Sequence, residues 1–222
     1  MIASPWQGFL FDFDYTLADS SPGIELCVQA ALASQGLPPA GRREIQATIG
    51  LALPAAFQRL VPGRPELHAL LAADFVRQAD RIMVAHTEFF PASLRILRLL
   101  QRQGARLGIV TTKYRRRIEA VLARDHAAEL IQVIVGGDDV SDPKPHPEAL
   151  LLALQRLRVR PGSVLYIGDS VVDAACARAA GLPFLGVASG PTPASALRKQ
   201  GAWAVASGIG RILPCLRMHE AL

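Results

Sequence analysis

Three short apolar runs in this chain end in carboxylates or hydroxyls, and that pattern constrains the fold more than any other feature. Phe9-Leu10-Phe11 runs into Asp12, Phe13, Asp14, Tyr15 and Thr16. ARLGIVTT (105–112) ends in Thr111 and Thr112, and SVLYIGDS (163–170) ends in Gly168, Asp169 and Ser170. Apolar residues ending in polar ones read as buried parallel strands that deliver side chains to one sheet edge. Helical patterns separate them: PASLRILRLLQRQG (91–104) up to Gly104, RRRIEAVLARDH, PHPEALLLALQRL behind Pro145 and Pro147, and VVDAACARAAG up to Gly181. LIQVIVGGDDV (130–140) contains a further strand, FLGVAS and WAVAS two more, and a last helix is expected near Ile209–Met218. Strands alternating with helices predict an α/β fold, a Rossmann-like doubly wound parallel sheet with its active edge where the winding reverses.

One stretch breaks the alternation. PGIELCVQAALASQGL (22–37), REIQATIG (43–50), LPAAFQRLV (53–61) and a long helix from Glu66 to His86 carry helical spacing and no strand signal. The long helix has Leu67, Leu70, Leu71, Phe75, Ile82 and Met83 as its apolar stripe. Residues 18–88 are therefore expected to form an inserted all-helical cap domain, with 1–17 and 89–222 as the core.

Composition narrows the setting. The 222 residues are half hydrophobic and 19% charged, which argues against disorder. No apolar stretch approaches the roughly 18 residues of a membrane span. The N-terminus lacks a basic start before its short apolar run and makes a poor signal peptide. Cys27, Cys176 and Cys215 are scattered without metal spacing and fit buried thiols of a reducing cytoplasm. The net charge of +5 comes from arginines spread along helical faces, with only Lys113, Lys144 and Lys199 as lysines. Arg115-Arg116-Arg117 reads as a solvated helix start. Neither aromatic interleaving nor a nucleic-acid module accompanies it, so neither nucleic acid nor membrane is expected as a partner.

Asp12 and Asp14, two residues apart at a strand end, are costly unless something positive compensates them. Hard oxygen ligands at this spacing suit Mg²⁺, which makes Asp12 a candidate nucleophile and Asp14 a candidate acid/base beside that ion. The histidines at 68, 86, 126, 146 and 219 have no ligand spacing and are expected at the surface or in packing. Asp138 and Asp139 are either carboxylates near the metal or polar groups of a loop.

Together the motifs carry a resemblance that spans nearly the whole chain. DFDYTLADS resembles the first motif of the haloacid dehalogenase-like hydrolase superfamily, GIVTTK its second, DPKPHPEAL its third and GDSVVDAACARAAG its fourth. The helical insert is similar to the cap of the subfamily that includes phosphoglycolate phosphatases. The resemblance implies that Asp12 attacks phosphorus and that Asp14 protonates the leaving alcohol and then activates water. It also implies that Asp12, Asp169 and the Asp14 carbonyl bind Mg²⁺, while Thr111 and Lys144 hold the phosphoryl group. Asp173 would fix Lys144 or a metal-bound water, and Thr16 would support the site from behind. Tyr15 stands where glycine is most common in the first motif.

The same residues discriminate among branches of the superfamily. Asp14 disfavours dehalogenation, and the lack of any lysine in 18–88 disfavours a Schiff-base phosphonatase. A Mg²⁺-dependent phosphatase of a small phosphorylated metabolite is the expected activity, with phosphoglycolate the default by resemblance. A β-phosphoglucomutase-like phosphotransferase, a pyrophosphatase, a nucleotidase and a catalytically idle binding protein are the alternatives. The cap loop Thr48–Pro54, with Gly50, together with Arg43, Arg42 and Thr112, is the candidate substrate contact. A cytoplasmic monomer or homodimer is expected.

Overall fold

The computed structural model describes residues 6–218. In chain order it runs β1 (Gly8–Phe11), β2 (Ala18–Asp19), α1 (Ser21–Ser34), α2 (Arg42–Gln46), α3 (Leu53–Leu60), α4 (His68–Ile82) and β3 (Glu88–Phe89). It continues with α5 (Ser93–Arg102), β4 (Arg106–Val110), α6 (Arg115–Arg124), β5 (Val133–Val135), α7 (Glu148–Leu157) and β6 (Val164–Gly168). The last elements are α8 (Val171–Ala179), β7 (Phe184–Val187), α9 (Ala194–Lys199), β8 (Ala204–Ala206) and α10 (Ile212–Met218).

Six strands form a parallel sheet in the order β5-β4-β1-β6-β7-β8. β1 lies between β4 and β6, with Phe11 opposite both Ile109 and Ile167. The chain winds outward from β1 through β4 to β5, then returns to β6 and winds the other way. The carboxyl end of β1 is thus the switch point, where an α/β sheet opens a crevice. Phe9 and Phe11 pack into one layer with Ile96, Leu100 and Ile118; Leu10 points into the other with Leu150, Ala153 and Ala177. Burial on both faces explains why these strands read as continuous apolar runs. Each such Phe or Leu contributes about 1.5–3 kcal/mol by leaving water.

Helices α1 to α4 share a separate core of Cys27, Val28, Ile45, Phe57, Leu71 and Phe75. Phe57 and Phe75 meet edge to face at 6.3 Å. The expectation of no strand within 18–88 is corrected at its two ends. Ala18 pairs with Phe89 and Asp19 with Glu88 in an antiparallel stem where the helical segment leaves and rejoins the sheet. Two residues per strand carry no periodicity for a sequence pattern to show. Ser93 locks the stem by donating its hydroxyl to the Leu17 carbonyl at 2.6 Å.

The long helix is shorter than its spacing suggests, α4 being preceded by a 3₁₀ turn at Pro65–Leu67. Leu70, counted with its apolar stripe, is 52% exposed. Past Ile82 the chain continues as turns, with His86 N bonded to the Ile82 and Met83 carbonyls, and Arg124 donates to the Val84 and Thr87 carbonyls. Helix α9 was not expected from the sequence. Among the described residues no helix is long and apolar enough to cross a membrane. His219 lies outside the described residues.

Candidate active site

The carboxyl ends of β1, β4 and β6 bring together side chains that are far apart in sequence. Asp12 follows β1 directly, its backbone N–H bonded to the Ile167 carbonyl at 2.8 Å. Lys144, from the loop before α7, donates to Asp12 Oδ1 at 2.8 Å, Asp173 Oδ1 at 2.7 Å and the Tyr166 hydroxyl at 3.0 Å. Its fourth acceptor, the Val110 carbonyl, lies at 3.3 Å. Asp173 both starts α8 and anchors the site. Its Oδ2 accepts from Ser170 N and Oγ, closing a capping box, while Oδ1 accepts from Lys144 and Tyr166. Gly168 permits this approach, because a Cβ there would sit 2.7 Å from Asp173 Cβ.

Asp169 sits across from Asp12, with the Thr16 hydroxyl donating to its Oδ1 at 3.3 Å. Gly190 leaves space for its Oδ2, which a Cβ at that position would strike. Thr111 directly follows β4, buried, its Oγ1 accepting from Lys113 N at 3.3 Å, which leaves the hydroxyl proton free to donate. Tyr15 takes φ +57, the left-handed region that favours glycine and costs another residue about 1–2 kcal/mol. Its carbonyl is held by the Ser189 hydroxyl.

The electrostatics are lopsided. Asp12, Asp14, Asp169 and Asp173 are all at most 7% exposed, and the buried lysines beside them are Lys113 and Lys144. Four carboxylates against two ammonium groups leave two negative charges uncompensated in a poorly solvated place. Burial, helped by Asp173 and Asp14 against the opposing pull of Lys144, pushes the Asp12 carboxyl up to about 7. Burial likewise holds Asp169 well above the usual carboxylate range, with Asp173 and Asp12 adding to it. For Asp173 burial works in the same direction but is overcome by Lys144, Ser170 and Tyr166, which keep its carboxyl below the ordinary value. Burial disfavours the Lys144 charge, yet Asp12 and Asp173 raise its affinity for the proton above the ordinary range.

This donor set fits a hard divalent cation. Ligand oxygens of Asp12, Asp169 and Asp173 lie within 4.8 Å of one another. The oxygens of Asp173 are already engaged by Lys144, Tyr166 and Ser170, which leaves Asp12 and Asp169 as the available carboxylates. Asp14 Oδ1 is buried without a hydrogen-bond partner. A second acidic cluster, Asp142, His146 and Glu148, is largely exposed, and Glu148 caps the Ser141 and Asp142 amides there.

Next to Asp14 the helical segment and the sheet edge enclose a cavity of about 60 Å³, walled by Ile24, Val28, Leu51, Phe57, Phe75 and Lys113 among others. Gly50, at φ +92, reaches over it, and its carbonyl accepts from Thr112 Oγ1 at 3.4 Å. Thr112 and Gly50, both candidate substrate contacts, are thus brought together across the cleft. Arg43 does not join them. It is exposed and lines a separate depression with Glu44 and Arg59. Asp138 and Asp139 stay out of the acidic cluster and serve the start of α6, where Asp138 Oδ1 accepts from Arg115 N at 2.8 Å and Asp139 pairs with the Arg115 guanidinium.

Two features escaped the sequence reading. Lys113, assigned no role from the sequence, has its ammonium 3.1 Å from Asp14 Oδ1. The reading of Arg115-Arg116-Arg117 as a solvated helix start is corrected, because Arg117 is 4% exposed. It donates to Asp80 at 2.9 Å and to the Val76 carbonyl at 3.1 Å, while Arg116 grips the same Asp80 through both carboxylate oxygens. Both guanidinium groups also lie over the Tyr114 ring, at 4.8 and 4.9 Å. The signal available was the basic run itself; its partner on α4 is 37 residues away.

Comparison with known proteins places the chain in a family. The family model for haloacid dehalogenase-like hydrolases matches residues 9–187. A phosphoglycolate phosphatase of Escherichia coli (strain K12) is 32% identical over 97% of this chain and 94% of its own length. The phosphoglycolate phosphatase of Salmonella typhimurium is 31% identical over the same shares. Among solved structures, a haloacid dehalogenase-like protein from Bacteroides fragilis superposes with a TM-score of 0.89 at 41% identity, covering 92% of this chain and 98% of that one. A haloacid dehalogenase-like hydrolase from Streptococcus pneumoniae, at 22% identity and a TM-score of 0.84, covers 95% and 98% and shares the fold.

Proposed function

The chain belongs to the haloacid dehalogenase-like hydrolases and is a phosphatase; on that premise we propose that it hydrolyses a small organic phosphate monoester through a phosphoryl group carried on Asp12. Phosphoglycolate is the first substrate to try, because relatives that align over 97% of the chain are named for it. The observation that carries the mechanism is the buried set at the switch point, with Asp12 held by Lys144 at 2.8 Å and Asp14 beside the cavity.

In the first step an oxygen of Asp12 forms a bond to phosphorus as the ester P–O bond breaks, and Asp14 gives its proton to the leaving oxygen. In the second, Asp14 takes a proton from water as the water oxygen attacks phosphorus, which releases inorganic phosphate and restores Asp12. Lys144 offsets the charge of the phosphoryl group, and the Thr111 hydroxyl donates to it. Asp173 fixes Lys144, and Thr16 orients Asp169. Mg²⁺, held by Asp12, Asp169 and the Asp14 carbonyl, would supply charge neutralisation of the phosphoryl oxygens and keep the Asp12 carboxylate ionised. Residues 18–88 act as a cap that excludes water from this step. In this reading the protein works in the cytoplasm on a soluble metabolite.

The test is phosphate release from p-nitrophenyl phosphate and a panel of small esters that includes phosphoglycolate. Turnover that requires Mg²⁺ and disappears in Asp12→Asn is the expected result; turnover that survives Asp12→Asn would rule out the covalent route.

A further inference from the structure

The two lysines of the site are in opposite states. Lys144 spends its ammonium on four acceptors. Lys113 is 8% exposed, and its ammonium has one ion-pair partner, Asp14 Oδ1 at 3.1 Å, against the four acceptors of Lys144. An ammonium has three N–H donors, so one ion pair leaves Lys113 able to receive a further acceptor from a ligand. Lys113 also lines the cavity beside Asp14, where the alcohol half of the ester must sit if Asp14 is to protonate it.

We propose that Lys113 reads the leaving group, receiving a carboxylate carried by the alcohol half of the ester. The inference rests on the phosphatase mechanism above and adds a residue that sets its specificity. The other walls leave this role to Lys113. The cap loop contributes Ile49, Leu51 and Leu53, which offer no charge. Arg117, the second cation on the wall, is taken by Asp80 and the Val76 carbonyl. The Thr48 hydroxyl donates back to the Ile45 carbonyl at 2.7 Å, and that of Thr112 to Gly50.

Size and charge select among anions. The cavity of about 60 Å³ holds about four to six water-sized groups. One cation in so small a space suits a single carboxylate on a short carbon skeleton, and it would leave a second phosphoryl group undercompensated. A phosphorylated short hydroxy acid, the class to which the first substrate to try already belongs, meets that demand. Apolar contacts hold its carbon atoms, Lys113 its carboxylate and Lys144 its phosphate.

The experiment is calorimetric binding of two non-hydrolysable phosphonates to the full chain in the presence of Mg²⁺. Phosphonopropionate is the methylene isostere of phosphoglycolate; propylphosphonate matches its length and lacks the carboxylate. The wild-type protein is expected to bind phosphonopropionate about tenfold or more tightly than propylphosphonate, the range for a hydrogen bond to a charged group. Lys113→Gln is expected to bring the ratio to about one. Equal affinities in the wild type, no binding of either phosphonate, or a preference that survives in Lys113→Gln would each overturn the role of Lys113. The wild-type ratio needs no variant, so a misfolded Lys113→Gln leaves the test intact. Failure to hydrolyse any ester, with the preference for phosphonopropionate intact, would instead overturn the phosphatase mechanism and leave Lys113 as an anion reader.

Discussion

Replacing Lys144 with Met preserves side-chain length and removes the one charge that binds the cluster together. The Lys144 side chain is 2% exposed, and its ion-pair partners Asp12 and Asp173 are 4% and 1% exposed at 2.8 and 2.7 Å. Deleting one partner of a buried pair costs about 3–5 kcal/mol, since the charge left behind has neither water nor a counter-ion. The carboxyls escape part of that cost by taking up protons. In the wild type Asp12 is already pushed up to about 7 by burial, while Asp173 is held below its ordinary value against burial by Lys144 and its hydrogen bonds. Without Lys144 both carboxyls rise. The folded variant then binds protons that the unfolded chain does not, so its stability increases as pH falls. The wild-type contribution of Asp173 has the opposite sign: it is complete above the unfolded value and is lost as pH falls through the lowered folded one. The difference between Lys144→Met and wild type should therefore be largest near about pH 8 and shrink toward about pH 5. Urea unfolding of the chelator-treated proteins at several pH values measures it. A loss below about 1 kcal/mol at the upper end, or one that does not change with pH, would refute the reasoning.

Three further perturbations follow from the same geometry. Gly190→Ala places a methyl against Asp169 Oδ2 and is expected to raise the Mg²⁺ concentration for half-maximal activity by about tenfold or more; an unchanged Mg²⁺ curve would contradict it. Asp80→Ala strips Arg117 of its carboxylate and is expected to cost about 1–2 kcal/mol in urea unfolding, moderated because Asp80 itself is 39% exposed. A cost within experimental error would show that the arginine clasp does not hold the helical segment. Mg²⁺ added to the metal-free protein near about pH 7 should raise Tm and release protons, because Asp12 and Asp169 must ionise to serve as ligands. Binding heats that do not depend on the ionisation heat of the buffer would exclude that release.

The sheet was legible because its strands are buried on both faces. An uninterrupted apolar run that ends in Asp12, Thr111 or Asp169 marks both the strand and the edge where it emerges, and the structure puts all three at the switch point. The stem formed by Ala18–Asp19 and Glu88–Phe89 was hidden because two residues cannot show a period. The end of α4 was hidden for another reason: the turns that follow it are held by Arg124, which comes from a helix outside the helical segment. Charge was the hardest property to read. A basic run looks the same in a sequence whether water or Asp80 receives it, so Arg117 passed for a solvated residue. Arg43 was placed near the substrate because it precedes the cap loop, yet in α2 it faces the surface. Lys113 gave no signal of its own, and only the fold sets its ammonium against Asp14.

The central claim is that Asp12 carries the phosphoryl group, and trapping that group tests it most directly. The protein would be mixed with Mg²⁺ and a ³²P-labelled ester that it turns over, quenched in acid within milliseconds, digested and mapped. Acid-stable, base-labile label on the peptide containing Asp12, absent in Asp12→Asn, is the expected result. Label on another residue, or turnover with no labelled protein at any quench time, would contradict it.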